Sequence, residues 1–521
     1  MRDLRAAMVK YCPENTAKRR QSGLGKRTAL VRQCALPVLV VTLLASCSNS
    51  DENAGVNPGQ IDYLSGFIGG VVADEPRAAL IGRDILSAGG SAADAVTAAA
   101  LTLAVTYPNG AALGGGGICV VGDAARKRAE TIEFPAVAAK AGGPIAVPGM
   151  VRGLGLLQGR YGRLRWAQTV APAEQIARFG DGASRAFIQA TQQSQPPAAG
   201  DPALQTVIGG QNGILAEGER RTQPKLAAVL ARLRGAGPAD FYQGGLSQTL
   251  LSDIAAAGGR ITEEELRSYA ADIGKPLKLP FENSVELYTS NNAGGGAIAA
   301  WLIEQSYDGG SLIGTAKFQP EKFVAALGQA YRGTTAAPQE GYGSSSIAAI
   351  DRNGLSVACA FSMGTDFGAR KVGRETGVLF ASPYGVPGDE TPYLTVLVGI
   401  NPRVNQSFFA AGAAGGPTAA AALAESVLRA GLTRVEKGAA SVALAAPRQF
   451  QAGPQAPLLY EPGTDPEVLN AIGSRGITAT QSGPIGRVNL AYCSNGVPRA
   501  PETCSFAADR RGYGLATGHL F

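Results

Sequence analysis

The sequence predicts an α+β protein in which helices cover both sides of paired antiparallel strands. Three observations carry this: a buried-type helix near residue 100, two hairpin-like strand pairs in the last third, and amphipathic helices between them. Residues 74–108, DEPRAALIGRDILSAGGSAADAVTAAALTLAVTYP, read as two helices broken at Gly89–Gly90. The second is almost entirely Ala, Val, Leu and Thr, hence buried, and Pro108 ends it. From about 150 to 275 the pattern is helical, with Thr262 and Glu265 spaced as a capping box. SVELYTS (284–290) reads as a strand and AIAAWLIEQS (297–306) as a buried helix.

IAAI and LSVACAF flank DRNG, whose Asn-Gly marks a hairpin. YLTVLVGI and QSFFAAG form a second pair. AAGGPTAAAALAESVLRAG then opens a helix, with Pro417 fitting its first position and Gly431 its C-terminal cap. With 521 residues, the chain is long enough for one large domain or two fused ones, and no solenoid-type repeat is present.

The formal charge of +6 is misleading as a property of the body. Residues 1–46 carry nine Lys/Arg and two Asp/Glu, an excess of +7, which leaves −1 for the remainder. Charge therefore gives no case for a nucleic-acid partner. The basic start KRTALVRQ leads into the apolar run CALPVLVVTLLAS and then Cys47. A positive region before a short apolar one predicts an export leader over 1–47, too short for a membrane span. LASC resembles the bacterial lipobox, so Cys47 is expected to carry the lipid. Ser48 after it favours the outer membrane in Gram-negative bacteria, and a periplasm-facing lipoprotein is expected. Residues 48–60 read as a flexible tether.

Cys119 and Cys359 sit in apolar strand-like runs and read as small core residues. Cys493 and Cys504 flank ten residues, and in an oxidising periplasm a disulfide between them is expected. There is no CxxC pair and one histidine, His519, two residues from the C-terminus. Neither a metal nor a cofactor is expected, and Ser-His-Asp or Cys-His catalysis lacks its imidazole. The four glycines of 114–117 lack a following GKS or GKT, so they read as close packing against a strand rather than a phosphate loop.

Two features remain that carry chemistry. GYGSSS (341–346) places hydroxyls at the mouth of a hairpin, and Gly415–Gly416 lie at a helix N-terminus. Unsatisfied N–H groups there, aligned with the helix dipole, make an oxyanion site. A hydroxyl facing such a site needs a base, and a nucleophile freed by cutting the chain just before it supplies its own α-amine. A Ser–Lys arrangement is disfavoured because the nearest downstream lysine is Lys371.

Over nearly all of 66–516 the chain is similar to the gamma-glutamyltranspeptidase family. The segments that carry the resemblance are ILSAGGSAADAVTAAALTLAVTYPNGAALGGGGICVV, IAVPGMVRGLGLLQGRYGRLRWAQTVAPAEQIARFG, FYQGGLSQTLLSDIAAAGGRITEEELRSYAADIGKPL and GAAGGPTAAAALAESVL. The resemblance implies a four-layer αββα sandwich of the N-terminal nucleophile hydrolase type. It also implies self-cleavage into a large-subunit-like region, 61–343, and a small-subunit-like region, 344–521. The family nucleophile lies seven residues before an Asp, which from Asp351 points to Ser344. Ser345 then matches the family's second hydroxyl, Ser362 the hydroxyl that assists the α-amine, and Gly415 and Gly416 the oxyanion glycines.

The substrate positions depart from the family. Its carboxylate-clamping arginine falls at Pro135, its asparagine at Gly364, and its amine-receiving pair at Pro383 and Val386. Its serine pair falls at Glu390 and Thr391, of which only Thr391 keeps a hydroxyl. The expected activity is an amide hydrolase or acyltransferase acting on gamma-glutamyl or related acyl amides. The alternative is an unprocessed, catalytically degenerate binding or scaffold protein of the cell envelope.

Overall fold

A computed structural model of the chain describes residues 66–210, 213–291, 294–308, 317–332, 343–383, 393–432 and 438–518. All of these fall in the unit spanning 61–521. Two antiparallel sheets form its centre. The first, in spatial order, contains β4 (Asp272–Gly274), β3 (Arg128–Phe134), β2 (Gly116–Asp123), β8 (Leu355–Ser362), β7 (Ser344–Asp351), β1 (Gly69–Ala73) and β13 (Leu515–Thr517). The second contains β5 (Leu277–Pro280), β6 (Glu286–Thr289), β9 (Thr395–Asn401), β10 (Gln406–Ala414), β11 (Arg487–Val497) and β12 (Cys504–Ala508).

Three separate apolar cores define four layers. Outside the first sheet lie α1 (Pro76–Ser87), α2 (Ala92–Thr106), α3 (Met150–Tyr161), α4 (Trp166–Phe179), α5 (Pro224–Ala236) and α6 (Gly245–Ala256). Outside the second lie α7 (Gly294–Ser306), α8 (Pro320–Ala330), α9 (Thr418–Leu432) and α10 (Ala439–Ala445). Between the sheets, Ile118, Val120, Ala348, Ile350, Ala358 and Ala360 of one face Val396, Val398, Ile400, Ala410 and Ala491 of the other. Strands buried on both faces lose the polar alternation of a surface sheet, which is why β7, β8 and β10 read as continuous apolar runs. The fold is thus the expected αββα sandwich.

The local rules read from sequence operate where they were expected. Ser91 and Asp94 form a reciprocal capping box on α2, and Thr262 and Glu265 form another. Asp351 closes the β7–β8 hairpin, its carboxylate accepting from the N–H groups of Asn353 and Leu355. The four glycines pack as expected. A Cβ on Gly116 would lie 2.2 Å from the Ala136 nitrogen, and one on Gly117 2.5 Å from the Ala360 oxygen.

Two sequence readings are corrected. Gly431 lies inside α9, which runs one residue further to Leu432. Its missing side chain makes room for the Phe281 ring, so packing rather than a cap requires it. Cys119 and Cys359 are buried core residues but not free thiols. They stand directly opposite each other on β2 and β8 and are joined by a disulfide. Strand patterning places both side chains on one face but cannot show the register that makes them partners. Cys493 and Cys504 are likewise opposite and bonded, across β11 and β12.

On β3, Glu130 accepts two hydrogen bonds from Arg160, at 2.7 and 2.8 Å, and one from the Tyr161 hydroxyl. Arg160 above all holds its carboxyl down to about 2. A depressed acid stabilises the fold fully above its unfolded value, roughly pH 4, and that contribution fades as pH falls through the folded value. Glu130→Gln is therefore expected to lower the unfolding free energy at neutral pH and to flatten its decline between about pH 4 and pH 2. Urea titrations across that range check it. Replacing Cys119 and Cys359 together by alanine should cost about 2–4 kcal/mol in the same measurement.

Candidate active site

The site lies where the ends of β7, β8 and β10 meet. Side chains along a strand alternate between faces. Ile347 and Ala349 of β7 join the helix-side core, whereas Ala348 and Ile350 join the core between the sheets. Extending that period backwards, Ser344 and Ser346 face the second sheet and Ser345 faces the helices. Of the two serines on that face, Ser344 is the one that meets Gly415. Its hydroxyl oxygen accepts a 3.1 Å hydrogen bond from the Gly415 N–H.

Gly415 and Gly416 link the end of β10 to the start of α9. Both have left-handed backbones, at φ +121° and +60°. A side chain on Gly415 would place its Cβ 3.0 Å from the Thr418 hydroxyl. The bend turns the Gly415 N–H away from the helix axis and onto Ser344. Thr418 Oγ1 donates back to the Gly415 carbonyl at 2.8 Å and Ala419 N–H to the Gly416 carbonyl at 3.1 Å, which fixes the turn. Pro417 precedes the helix rather than opening it, and its carbonyl accepts from the Tyr331 hydroxyl at 2.7 Å.

Ser362 sits opposite Ser344 in the β7–β8 register, and its hydroxyl accepts from the Gly364 N–H at 2.9 Å. Ser345 is fully buried beside Gly110, where a Cβ would lie 3.2 Å from its own. Ser346 is tied elsewhere: its hydroxyl and carbonyl both accept from the Asn489 side-chain amide at 2.9 Å. The glycine before Ser344 is also fixed. Gly343 has φ +47°, and a Cβ there would come within 1.9 Å of the Thr365 carbonyl. Its own carbonyl accepts from the Met363 N–H at 2.7 Å. Pro135 and Gly364 stand near this end of the first sheet, adjoining β2 and β8. Thr391, Glu390, Val386 and Cys47 lie outside the described residues.

Sequence reasoning missed a charged cluster around Ser344. Arg487 donates to the Ser344 carbonyl at 3.2 Å and lies 4.0 Å from Asp74. Asp74 is buried and accepts from the Ser346 N–H at 3.1 Å and from Asn489 at 2.9 Å. Burial pushes the Asp74 carboxyl up, against the opposing pull of Arg487 and those donors. Tyr107, Asp74 and Asp366 hold Arg487 in its charged form, Tyr107 most strongly. One signal was available: in GRVNLAYC, Arg487 and Asn489 are polar residues two apart in an apolar strand, so they share one face.

Residues 78–310 match the gamma-glutamyltranspeptidase family model. Glutathione hydrolase 7 of Bos taurus is 37% identical over 224 residues, 40% of this chain and 34% of that protein. The glutathione hydrolase proenzyme of Pseudomonas aeruginosa is 33% identical over 253 residues, 44% of each. The chain thus aligns with a third to under half of the length of these curated relatives. Among solved structures, cephalosporin acylase from Bacillus halodurans superposes with a TM-score of 0.69 at 18% identity, covering 91% of this chain and 99% of that one. The fold is that of the N-terminal nucleophile hydrolases. Over residues 78–310, less than half of its length, the chain is similar to the gamma-glutamyltranspeptidase family. The family match stops at residue 310, upstream of Ser344.

The cluster makes Asn489 the shared donor for Asp74 and Ser346. Asn489→Ala removes it from both, and should destabilise the protein by about 1–3 kcal/mol. Chemical denaturation monitored by tryptophan fluorescence checks the value. Ser346→Ala, which leaves Asp74 paired with Asn489, should cost less.

Proposed function

We propose that the chain is a self-processing amide hydrolase or acyltransferase of gamma-glutamyltranspeptidase type, with Ser344 as nucleophile. The observation that carries this is the Gly415 N–H placed 3.1 Å from the Ser344 hydroxyl oxygen at the start of a helix. In the processing step the Ser344 Oγ attacks the Gly343 carbonyl carbon, its proton passes to the departing Ser344 nitrogen, and the peptide becomes an ester. Water then hydrolyses the ester, which releases the Gly343 carboxylate and restores the hydroxyl beside a free α-amine. That amine serves as the base for turnover, a task for which the lone His519 is poorly placed.

In turnover, Ser344 Oγ attacks the acyl amide of a donor while the Gly415 and Gly416 N–H groups receive the developing oxyanion. The C–N bond breaks, the hydroxyl proton passes through the α-amine to the departing amine, and water or an acceptor amine then takes the acyl group from the Ser344 ester. Ser362 supports the α-amine, and Ser345 and Thr391 remain as the hydroxyls proposed for the substrate side. The donor is a gamma-glutamyl amide or a related acyl amide. Proline at position 135 cannot offer the bidentate cation that a glutamyl α-carboxylate requires, which favours a different acyl group or weak glutathione hydrolysis. That same loss supports a second reading, in which the protein is unprocessed and acts as a cell-envelope binding or scaffold protein. In either case Cys47 is the proposed lipid anchor, with the body facing the periplasm, at the outer membrane by preference.

Expression of the full chain in a bacterial host separates the readings. Self-cleavage yields a C-terminal fragment of about 18 kDa, by its share of the chain's 53.2 kDa, beginning with Ser344 by mass analysis. Ser344→Ala should remain whole. Wild-type protein that stays whole and leaves amide substrates intact favours the scaffold.

A further inference from the structure

Asp366 lies in the turn that follows β8 and is 5% exposed. Its two carboxylate oxygens have separate tasks: Oδ1 accepts from the Gly343 N–H at 3.1 Å and Oδ2 from the Gln195 N–H at 3.0 Å. Gly343 is the residue whose carbonyl would be attacked. With its N–H on Asp366 and its carbonyl on Met363 N–H, Gly343 is gripped at both polar groups. The left-handed backbone that this grip maintains admits no side chain, because the Thr365 carbonyl fills the space.

The turn itself is rigid. Phe367 N–H donates to the Asn109 carbonyl at 3.2 Å, and Thr365 Oγ1 donates to the Gly368 carbonyl at 2.8 Å. Gln195 and Gly343 belong to distant segments, so the carboxylate bridges the two rather than capping its own turn. Burial pushes its carboxyl up, against the opposing pull of the Gln195 and Gly343 N–H groups and of the cations Arg487 and Arg370.

We infer that Asp366 is the positioning residue for self-cleavage: it holds Gly343 in place before the cut and repels the new Gly343 carboxylate after it. This rests on the self-processing reading above. Before the cut, Asp366 and the Met363 N–H orient the Gly343 carbonyl, and Met363 N–H is the donor already in place as that oxygen gains charge. After the cut, the group that Asp366 held by its N–H ends in a carboxylate within about 6 Å of it by covalent geometry. Two anions at that distance in a largely dry site repel, so the cleaved end leaves and the α-amine of Ser344 is uncovered. The same carboxylate thus acts in opposite senses on the two sides of one reaction.

The test follows fragment appearance over time in the full chain, with wild type, Asp366→Ala and the isosteric Asp366→Asn. Losing a charged hydrogen bond that acts on the reacting peptide should slow cleavage about ten- to a hundredfold. The fragment should still begin at Ser344, and the circular dichroism spectrum should match wild type. Release is read separately: carboxypeptidase should trim the large fragment from Gly343 readily in wild type and more slowly in cleaved Asp366→Ala. A purely structural role would not alter that trimming. Cleavage of both variants at the wild-type rate, or identical trimming, overturns the inference. Wild-type protein that never cleaves overturns the reading beneath it instead, and Ser344→Ala provides the reference for that outcome.

Discussion

The distance between the two sheets governs everything at the site. Ser344 belongs to one sheet and Gly415 to the end of the other, yet they are in hydrogen-bond contact. Facing sheets ordinarily lie about 10 Å apart, filled by side chains from both. Here alanines 348, 358, 360, 410 and 491 occupy much of the interlayer, and at the catalytic end even alanine is too large. A Cβ on Gly412 would lie 2.9 Å from the Ser346 Cβ. Small residues draw the sheets together at the end where a β7 hydroxyl must meet the bend after β10.

Close approach also creates an electrostatic problem, because it places Asp74, Asp366 and Arg487 in a region with little water. Burying a carboxylate is costly unless donors replace its hydration. Asp74 has the Ser346 N–H and Asn489, and Asp366 has the Gly343 and Gln195 N–H groups. Both carboxyls are nevertheless pushed upward by burial. Arg487 thus faces Asp74, Asp366 and Asp509, and Arg370 also acts on Asp366.

Much of this was legible in the sequence. Helix boundaries near Gly89–Gly90 and Pro108, the capping boxes, and the Asn-Gly hairpin follow from local rules that tertiary packing did not override. The bend at Gly415–Gly416 was legible because adjacent glycines before an apolar helix admit the left-handed backbone found there. What was not legible depends on register. Nothing in GGICVV and SVACAF says that Cys119 and Cys359 are opposed, since a one-residue slip would separate them. Asp74, Asp366 and Arg487 come together from three distant segments, so no spacing in the chain could announce them. The strand period sets Ser345 apart from Ser344 and Ser346, and only the hydrogen-bond partners, Gly415 and Asn489, separate those two.

The two halves of the chemistry rest on different kinds of structure, and this explains how one can change without the other. Ser344, the Gly415 N–H and Gly343 sit at strand ends and before a helix start, held by the sheet register and by close backbone packing. Moving any of them by an ångström would disturb the interlayer core. Positions 135 and 383 lie on connections outside the strands, whereas Gly364, at φ +85°, is held by packing, since a Cβ there would lie 2.4 Å from the Ser382 hydroxyl. Pro135 fits its link between β3 and the next segment, with its carbonyl taken by the Tyr269 hydroxyl at 2.7 Å. A proline at position 135 is therefore compatible with an intact Ser344–Gly415 contact, because it lies on a connection outside the strands that carry that contact.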